Sequence, residues 1–244
     1  MEDTYTISKE NGRWHYRDLT EDVSVVLPDE VDCRGLALAR DPVITGDVSG
    51  LLRHALANPV GTKHLCQIAK GAKTAGIIVS DATRAVSTPL VLPLIVGELQ
   101  KAGISLQNMV LVVAIGVHRP ATAEEMQAMA GEYHGKIKIV NHQPYDENEL
   151  VYVGTTSFGN KITVNKTIFE TDIRIGIGKV EPHEFAGFSG GRKSVLPGIA
   201  SEETILYNHR PEMVLNPNSS PSILKDNPIH LDMVEAARDR KSVV

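Results

Sequence analysis

A parallel α/β sheet flanked by helices is the fold class predicted for this 244-residue chain. Three observations predict it. Residues 75–80 (AGIIVS) and 108–115 (NMVLVVAI) are continuous apolar runs of strand length, as expected of strands covered on both faces. Each is followed by a polar loop and then by apolar residues at helical spacing. A third run, 172–177 (DIRIGI), ends just before a glycine-rich stretch, 180–201 (VEPHEFAGFSGGRKSVLPGIAS). Strand, loop and helix repeating in that order mark a mainly parallel sheet.

Residues 1–22 are polar, with Trp14 and His15, and read as an arm of their own: an edge hairpin or a loosely docked segment. Residues 23–27 (VSVVL) form a short strand that Pro28 ends. Residues 43–46 lead into a helix in which Val48, Leu51, Leu52, Ala55 and Leu56 share a face, with Asp47 as its N-cap. Residues 63–69 make a second short helix stopped by Gly71. The first core strand, 75–80, leads through the loop 81–88 into a helix over 90–102. The second, 108–115, leads through 116–120 into a helix over 122–129, where Thr122 and Glu125 have capping-box spacing. Residues 136–140 (KIKIV) alternate as in an edge strand, and 151–153 and 162–164 pair as a hairpin around 158–160. After the strand at 172–177 come a helix over 202–207 capped by Ser201, a turn-rich linker at 216–221 and a last amphipathic helix over 229–240.

Composition excludes several classes. A net charge of −5 with scattered Lys and Arg offers no basic face for nucleic acid. Two cysteines, Cys33 and Cys66, lack metal-like spacing and fit a reducing compartment. The longest apolar run, 89–96, is far too short for a bilayer crossing, and the acidic N-terminus does not read as a secretory signal. The expected location is the cytoplasm, without membrane attachment.

In parallel sheets ligands sit beyond the carboxyl ends of the strands. The loops 81–88, 116–120 and 180–200 are therefore expected to converge. In the last of them, Gly190 and Gly191 permit positive φ and close approach, while Pro182 and Pro197 stiffen the two ends. Asp81 and Arg84 lie in SDATR, where the planar fork of arginine suits a carboxylate or phosphate. An Asp81–Arg84 ion pair holding the loop is the structural alternative. His118, in GVHRP, and His183 are two imidazoles able to trade protons near neutral pH. Racemisation needs such a pair, because both faces of one carbon must be served. Lys193 follows the glycine pair, but GFSGGRKS departs from a Walker loop, since Arg192 stands where a glycine is required. Lys193 is open to three roles: surface charge, phosphate contact or covalent attachment point. His209 is too distant from His183 for a helical ligand pair, yet one imidazole suffices for nickel, copper or zinc when a cofactor brings the other ligands. His15, His54, His64, His134, His142 and His230 read as surface or core histidines.

SDATR, GVHR, EPHEFAGFSGGRKSVLPGIAS and the later NHRP, in that order, resemble the nickel-dependent lactate racemase family from about residue 20 to residue 240. The 180–201 stretch is the specific part of the resemblance. It implies a Rossmann-like N-terminal catalytic and cofactor domain over 23–244. It also implies nickel in a nickel-pincer nucleotide, a pyridinium-3-thioamide-5-thiocarboxylic acid mononucleotide, tethered to Lys193. By the same carry-over His209 would complete the nickel coordination, and His118 and His183 would be the acid/base pair. Arg84 would hold the substrate carboxylate, and Asp81 would support its loop and its histidine or cofactor neighbours. The backbone of Gly187, Ser189, Gly190 and Gly191 would approach the nucleotide. The implied reaction inverts C2 of a 2-hydroxy acid such as lactate by a hydride shuttle. Implied partners are that acid, the proteins that make the cofactor, and a separate C-terminal domain or a second copy of the chain. Members of the family carry a further α/β domain, and this chain stops at Val244, so a fragment or half of a split enzyme is expected. The competing expectations are a non-catalytic nucleotide- or metal-binding module, and a metal-free enzyme using Lys193 as a Schiff base.

Overall fold

The computed structural model describes residues 5–18, 22–30, 46–84 and 86–238. The chain divides into two units, Met1–Gly46 and Asp47–Val244. In the first, β1 (Tyr5–Glu10), β2 (Arg13–Asp18) and β3 (Val23–Val26) form an antiparallel meander. Asn11 and Gly12, at φ 51° and 83°, make the two-residue turn whose twist matches that of a hairpin. The short strand expected at 23–27 thus shares a sheet with the polar segment before it. Cys33, the lead-in at 43–45 and the end of the last expected helix lie outside the described residues.

The second unit opens with α1 (Val48–Ala57), and the Asp47 carboxylate accepts the main-chain N–H groups of Ser49 and Gly50 as its cap. After α2 (Leu65–Ile68) the core begins. It consists of β4 (Ala75–Ser80), α3 (Thr88–Lys101), β5 (Met109–Ala114), α4 (Ala123–Ala130) and β6 (Lys138–Asn141). The capping box of Thr122 and Glu125 is complete. The antiparallel hairpin β7 (Leu150–Thr155) and β8 (Lys161–Asn165) follows, then α5 (Lys166–Phe169) and β9 (Ile173–Ile177). The glycine-rich stretch holds a two-residue ladder, β10 (Pro182–His183) with β11 (Gly187–Phe188), and a 3₁₀ turn at Gly191–Ser194. It leads to α6 (Glu202–Asn208), α7 (Pro211–Val214) and α8 (Pro228–Ala237).

The predicted parallel α/β fold is the one found, with strands in the order β6-β5-β4-β9. Alternate residues of β4 and β5 face opposite sides, which is why their sequences are apolar throughout. Ile77, Val79, Leu111 and Val113 pack under Leu92, Val96 and Leu99 of α3. Ile78, Val110 and Val112 pack under Ile168, Leu196, Ile199 and Met233. Successive strands run outward from β4 to β6, and the chain then returns to place β9 on the other side of β4. The strand order reverses between β4 and β9, and a crevice opens beyond their carboxyl ends.

His142, at the end of β6, is fully buried; its Nε2 donates to the Ala200 carbonyl at 2.9 Å, tying the sheet to the glycine-rich stretch. Burial pushes this imidazole down to about 4. An unfolded histidine titrates near ~6.5, so below that pH the unfolded chain binds a proton the folded chain refuses. Stability is therefore expected to be full above that value and to fall as pH drops toward 4. The loss from this one residue is on the order of 3 kcal/mol. Urea unfolding across this range should show the loss, and His142→Gln should flatten it.

Candidate active site

All three expected loops reach one cavity of about 340 Å³ beyond the carboxyl ends of β4, β5 and β9. Asp81, Arg84, His118, His183, Lys193 and His209 all line it. Asp81 leaves the end of β4 with a side chain only 7% exposed. One of its oxygens accepts the Thr83 N–H at 2.8 Å and the Thr83 hydroxyl at 2.5 Å; the other faces His118 Nδ1 at 2.7 Å. The Asp81 carboxylate is engaged by Thr83 and His118, not by Arg84, so the alternative ion pair is not the one formed. A carboxylate only accepts, so Nδ1 of His118 carries the hydrogen and Nε2 keeps a lone pair. The imidazole is held at its buried edge while the side chain as a whole stays 44% exposed.

His183 has the opposite arrangement. Its Nδ1 accepts the main-chain N–H of Ala186 at 3.3 Å and, more weakly, that of Phe185 at 3.5 Å. The hydrogen of the neutral ring therefore sits on Nε2, which lies 2.8 Å from Lys193 Nζ. Burial, with the neighbouring Lys193 charge, pushes this imidazole down to about 4. Lys193 itself is pushed down to about 8 by burial and by the charges of Arg84 and Arg192. Phe185 packs edge-on between His183 and His209, with ring centres at 4.6 and 5.1 Å.

His209 stands at the C-cap of α6, where its Nδ1 donates to the Ile205 carbonyl at 3.0 Å and leaves Nε2 as a free lone pair. A buried network fixes that helix end. Asp232 of α8 accepts from Thr156, Asn160 and Asn208 at 2.6, 2.8 and 2.7 Å, and Asn208 is the residue before His209. Among the described residues no group of three or more His, Cys, Asp or Glu could hold a metal. A metal held at His209 Nε2 would therefore need its other ligands from a bound group.

The glycine-rich stretch is shaped by chain-to-chain contacts. Gly190, at φ 73°, lines the cavity, and a Cβ there would meet the Lys179 carbonyl at 2.9 Å. Ser189 also lines it, but its hydroxyl is committed, donating to the Lys179 carbonyl at 2.7 Å and accepting the Glu181 N–H at 3.0 Å. Gly187 and Gly191 lie off the cavity lining. Gly187, at φ 77°, is glycine because a Cβ would fall 2.4 Å from the Ile223 carbonyl; Gly191 opens the turn that carries Lys193. Arg192 is turned inward, donating to the carbonyls of Ala186 and Phe188 at 2.7 and 3.0 Å. Sequence reasoning missed Phe185 and the direct Lys193–His183 hydrogen bond, although all three residues lie in the motif itself.

Residues 20–222 match the family described as the lactate racemase N-terminal domain. The lactate racemase of Thermoanaerobacterium thermosaccharolyticum is 43% identical over 189 residues, which is 77% of this chain and 44% of that protein. That of Lactiplantibacillus plantarum is 41% identical over 188 residues, again 77% of this chain and 44% of the relative. The chain thus spans less than half the length of these relatives. Among solved structures, the lactate racemase apoprotein of T. thermosaccharolyticum superposes with a TM-score of 0.73 at 41% identity, covering 78% of this chain and 46% of that one. A crystal structure of a Thermotoga maritima protein superposes at 0.64 with 26% identity, covering 78% and 47%. Among the described residues no helix is long and apolar enough to cross a membrane.

Proposed function

We propose, from the fact that the chain belongs to the lactate racemase N-terminal domain family, that its cavity is the acid/base half of a racemase or epimerase acting at C2 of a 2-hydroxy acid. The observation that carries this reading is the opposed protonation of the two histidines on one cavity. His118 presents a lone pair set by Asp81, and His183 presents an N–H set by main-chain donors. One imidazole is prepared to take a proton and the other to give one, as inversion through a 2-oxo acid requires. Arg84, on the same wall, suits the substrate carboxylate.

The residues fit a nickel-pincer nucleotide. His209 offers a single free Nε2, and Lys193 offers an amine of lowered basicity for attachment. When bound, that group would supply nickel and a hydride acceptor. Acylation of Lys193 would remove its lone pair, so the Nε2–H of His183 would be released from Nζ toward the substrate oxygen. In the same cycle His118 Nε2 would hold the proton of the 2-hydroxyl. Further parts of the proposal are cofactor-making partner proteins, a second domain completing the substrate clamp, and a cytoplasmic setting.

The experiment is a conversion assay. Single enantiomers of a panel of 2-hydroxy acids are given to the loaded protein in deuterated water. Racemisation with the original hydrogen retained at C2 supports the reading; deuterium entering C2, or no conversion by loaded protein, contradicts it. Asp81→Asn should lower turnover by roughly 10²- to 10⁴-fold, the range expected when a histidine loses the carboxylate that sets its tautomer. Lactate consumption rates with cofactor content held equal check this, and KM should move little.

A further inference from the structure

We infer that the cofactor-free chain is itself a carbonyl-capturing site: Lys193 condenses with small 2-oxo acids to give an imine, Arg84 holding the carboxylate and His183 moving the protons. This goes beyond the racemase reading and stands without it.

The geometry starts from the hydrogen bond between His183 and Lys193. Because Nδ1 of His183 accepts main-chain N–H groups, the ring hydrogen is on Nε2, 2.8 Å from Nζ. An ammonium has no lone pair to receive it. Above a pH of about 8, where Lys193 loses its charge, the neutral amine accepts that hydrogen, and this is the nucleophilic form of lysine. Burial and two neighbouring guanidinium groups push Lys193 in the same direction. The ring of Phe185 lies 5.9 Å from the amine. A desolvated lysine beside cations, with an imidazole in hydrogen-bond contact, is the setting in which lysines form Schiff bases.

The ligand class follows from the walls. Arg84 lines the same cavity and its charge acts on both Lys193 and His183, so a ligand reaching Nζ with a carbonyl can reach Arg84 with a carboxylate. Ile205, Val117 and Pro197 supply an apolar side for a short alkyl group. A carbonyl, an adjacent carboxylate and a small apolar substituent describe a short 2-oxo acid.

The step balances without an oxidant. The amine nitrogen bonds to the carbonyl carbon as the C=O π pair moves to oxygen; that oxygen takes the His183 Nε2 hydrogen while the now cationic nitrogen returns one of its own to Nε2. As the carbon–oxygen bond breaks, the nitrogen gives up its second hydrogen to the departing hydroxide. Water leaves carrying the equivalent of both amine hydrogens, a C=N bond remains, and His183 ends as it began. A chain in this state has its lysine blocked against attachment of any other group.

The test uses the chain produced without cofactor-making proteins, mixed with pyruvate and sodium cyanoborohydride and read by intact mass and peptide mapping. One adduct per chain is expected, on Lys193, forming about tenfold faster than on any surface lysine, as a lysine of lowered basicity allows. Its rate should rise as pH rises through about 8. Arg84→Met should slow capture of pyruvate about tenfold more than capture of acetaldehyde, since both lose the Arg84 charge beside Lys193 but only pyruvate has a carboxylate to hold. Adducts spread over surface lysines at the rate seen in Lys193→Arg would overturn the inference. So would pyruvate bound only noncovalently, or Arg84→Met slowing both carbonyls alike. The readout is a mass on Lys193 without nickel, so failure of the racemase reading would leave it unmoved.

Discussion

Lys193→Ala is expected to give a folded protein with no covalent cofactor, no retained nickel and racemisation at the uncatalysed background. The amine is the only group in the 3₁₀ turn at Gly191–Ser194 that combines cavity exposure with lowered basicity. On the proposed reading its removal takes away the attachment nucleophile itself. Lys193→Arg should behave the same way, because a guanidinium keeps the charge but stays protonated and does not acylate. Neither change should lower the unfolding midpoint much, since a partly buried lysine held by one imidazole contributes little net stability. Intact mass, nickel content and thermal unfolding on the same samples separate these outcomes. A Lys193→Ala protein that still carries the adduct would place the attachment elsewhere.

His118→Ala should produce the second-largest effect, and a different one. His118 is held by Asp81 and by the turn after β5, whereas Lys193 and His209 both pack on Phe185. Cofactor attachment and nickel content should therefore stay at the wild-type level. Turnover should fall by roughly 10²- to 10⁴-fold, the usual weight of a positioned general base. KM should change little, because Arg84 still offers its fork to the carboxylate. His209→Ala is expected to split the two readouts the other way, keeping the covalent nucleotide but losing nickel. Equal loss of adduct in His118→Ala would mean that it supports the fold of the site and not its proton transfers.

Much of this was legible in the residues. The runs of β4 and β5 are apolar throughout because both faces of each strand are covered, whereas β9 was visible by alternation, with Ile173, Ile175 and Ile177 on one core and Arg174 and Gly176 between them. Parallel strands place their following loops at one end, so the meeting of Asp81, His118 and the glycine-rich stretch followed from topology. The caps at Asp47, Thr122 and Ser201 were readable because each uses a local hydrogen bond. The single-turn helices α5 and α7 were not, since four residues carry no period and tertiary packing holds them. The glycines divided by neighbours the motif does not name. Gly190 borders the cavity, whereas Gly187 is set by the Ile223 carbonyl from a distant segment. The tautomers of His118, His183 and His209 were equally hidden, because each depends on a donor or acceptor that folding alone brings near. The Asp232 network behind His209 joins the β7–β8 turn, α6 and α8 and has no signature in any one of them.

Lys193 is proposed as the tether of a site whose proton transfers are divided between His118 and His183. The most direct measurement is mass and nickel analysis of the wild-type chain co-produced with the proteins that make the cofactor. The predicted result is a mass increase confined to the peptide holding Lys193, with about one nickel per chain bound only in the folded protein. Unmodified Lys193 and no nickel, while a full-length lactate racemase made in the same cells is loaded, would contradict it.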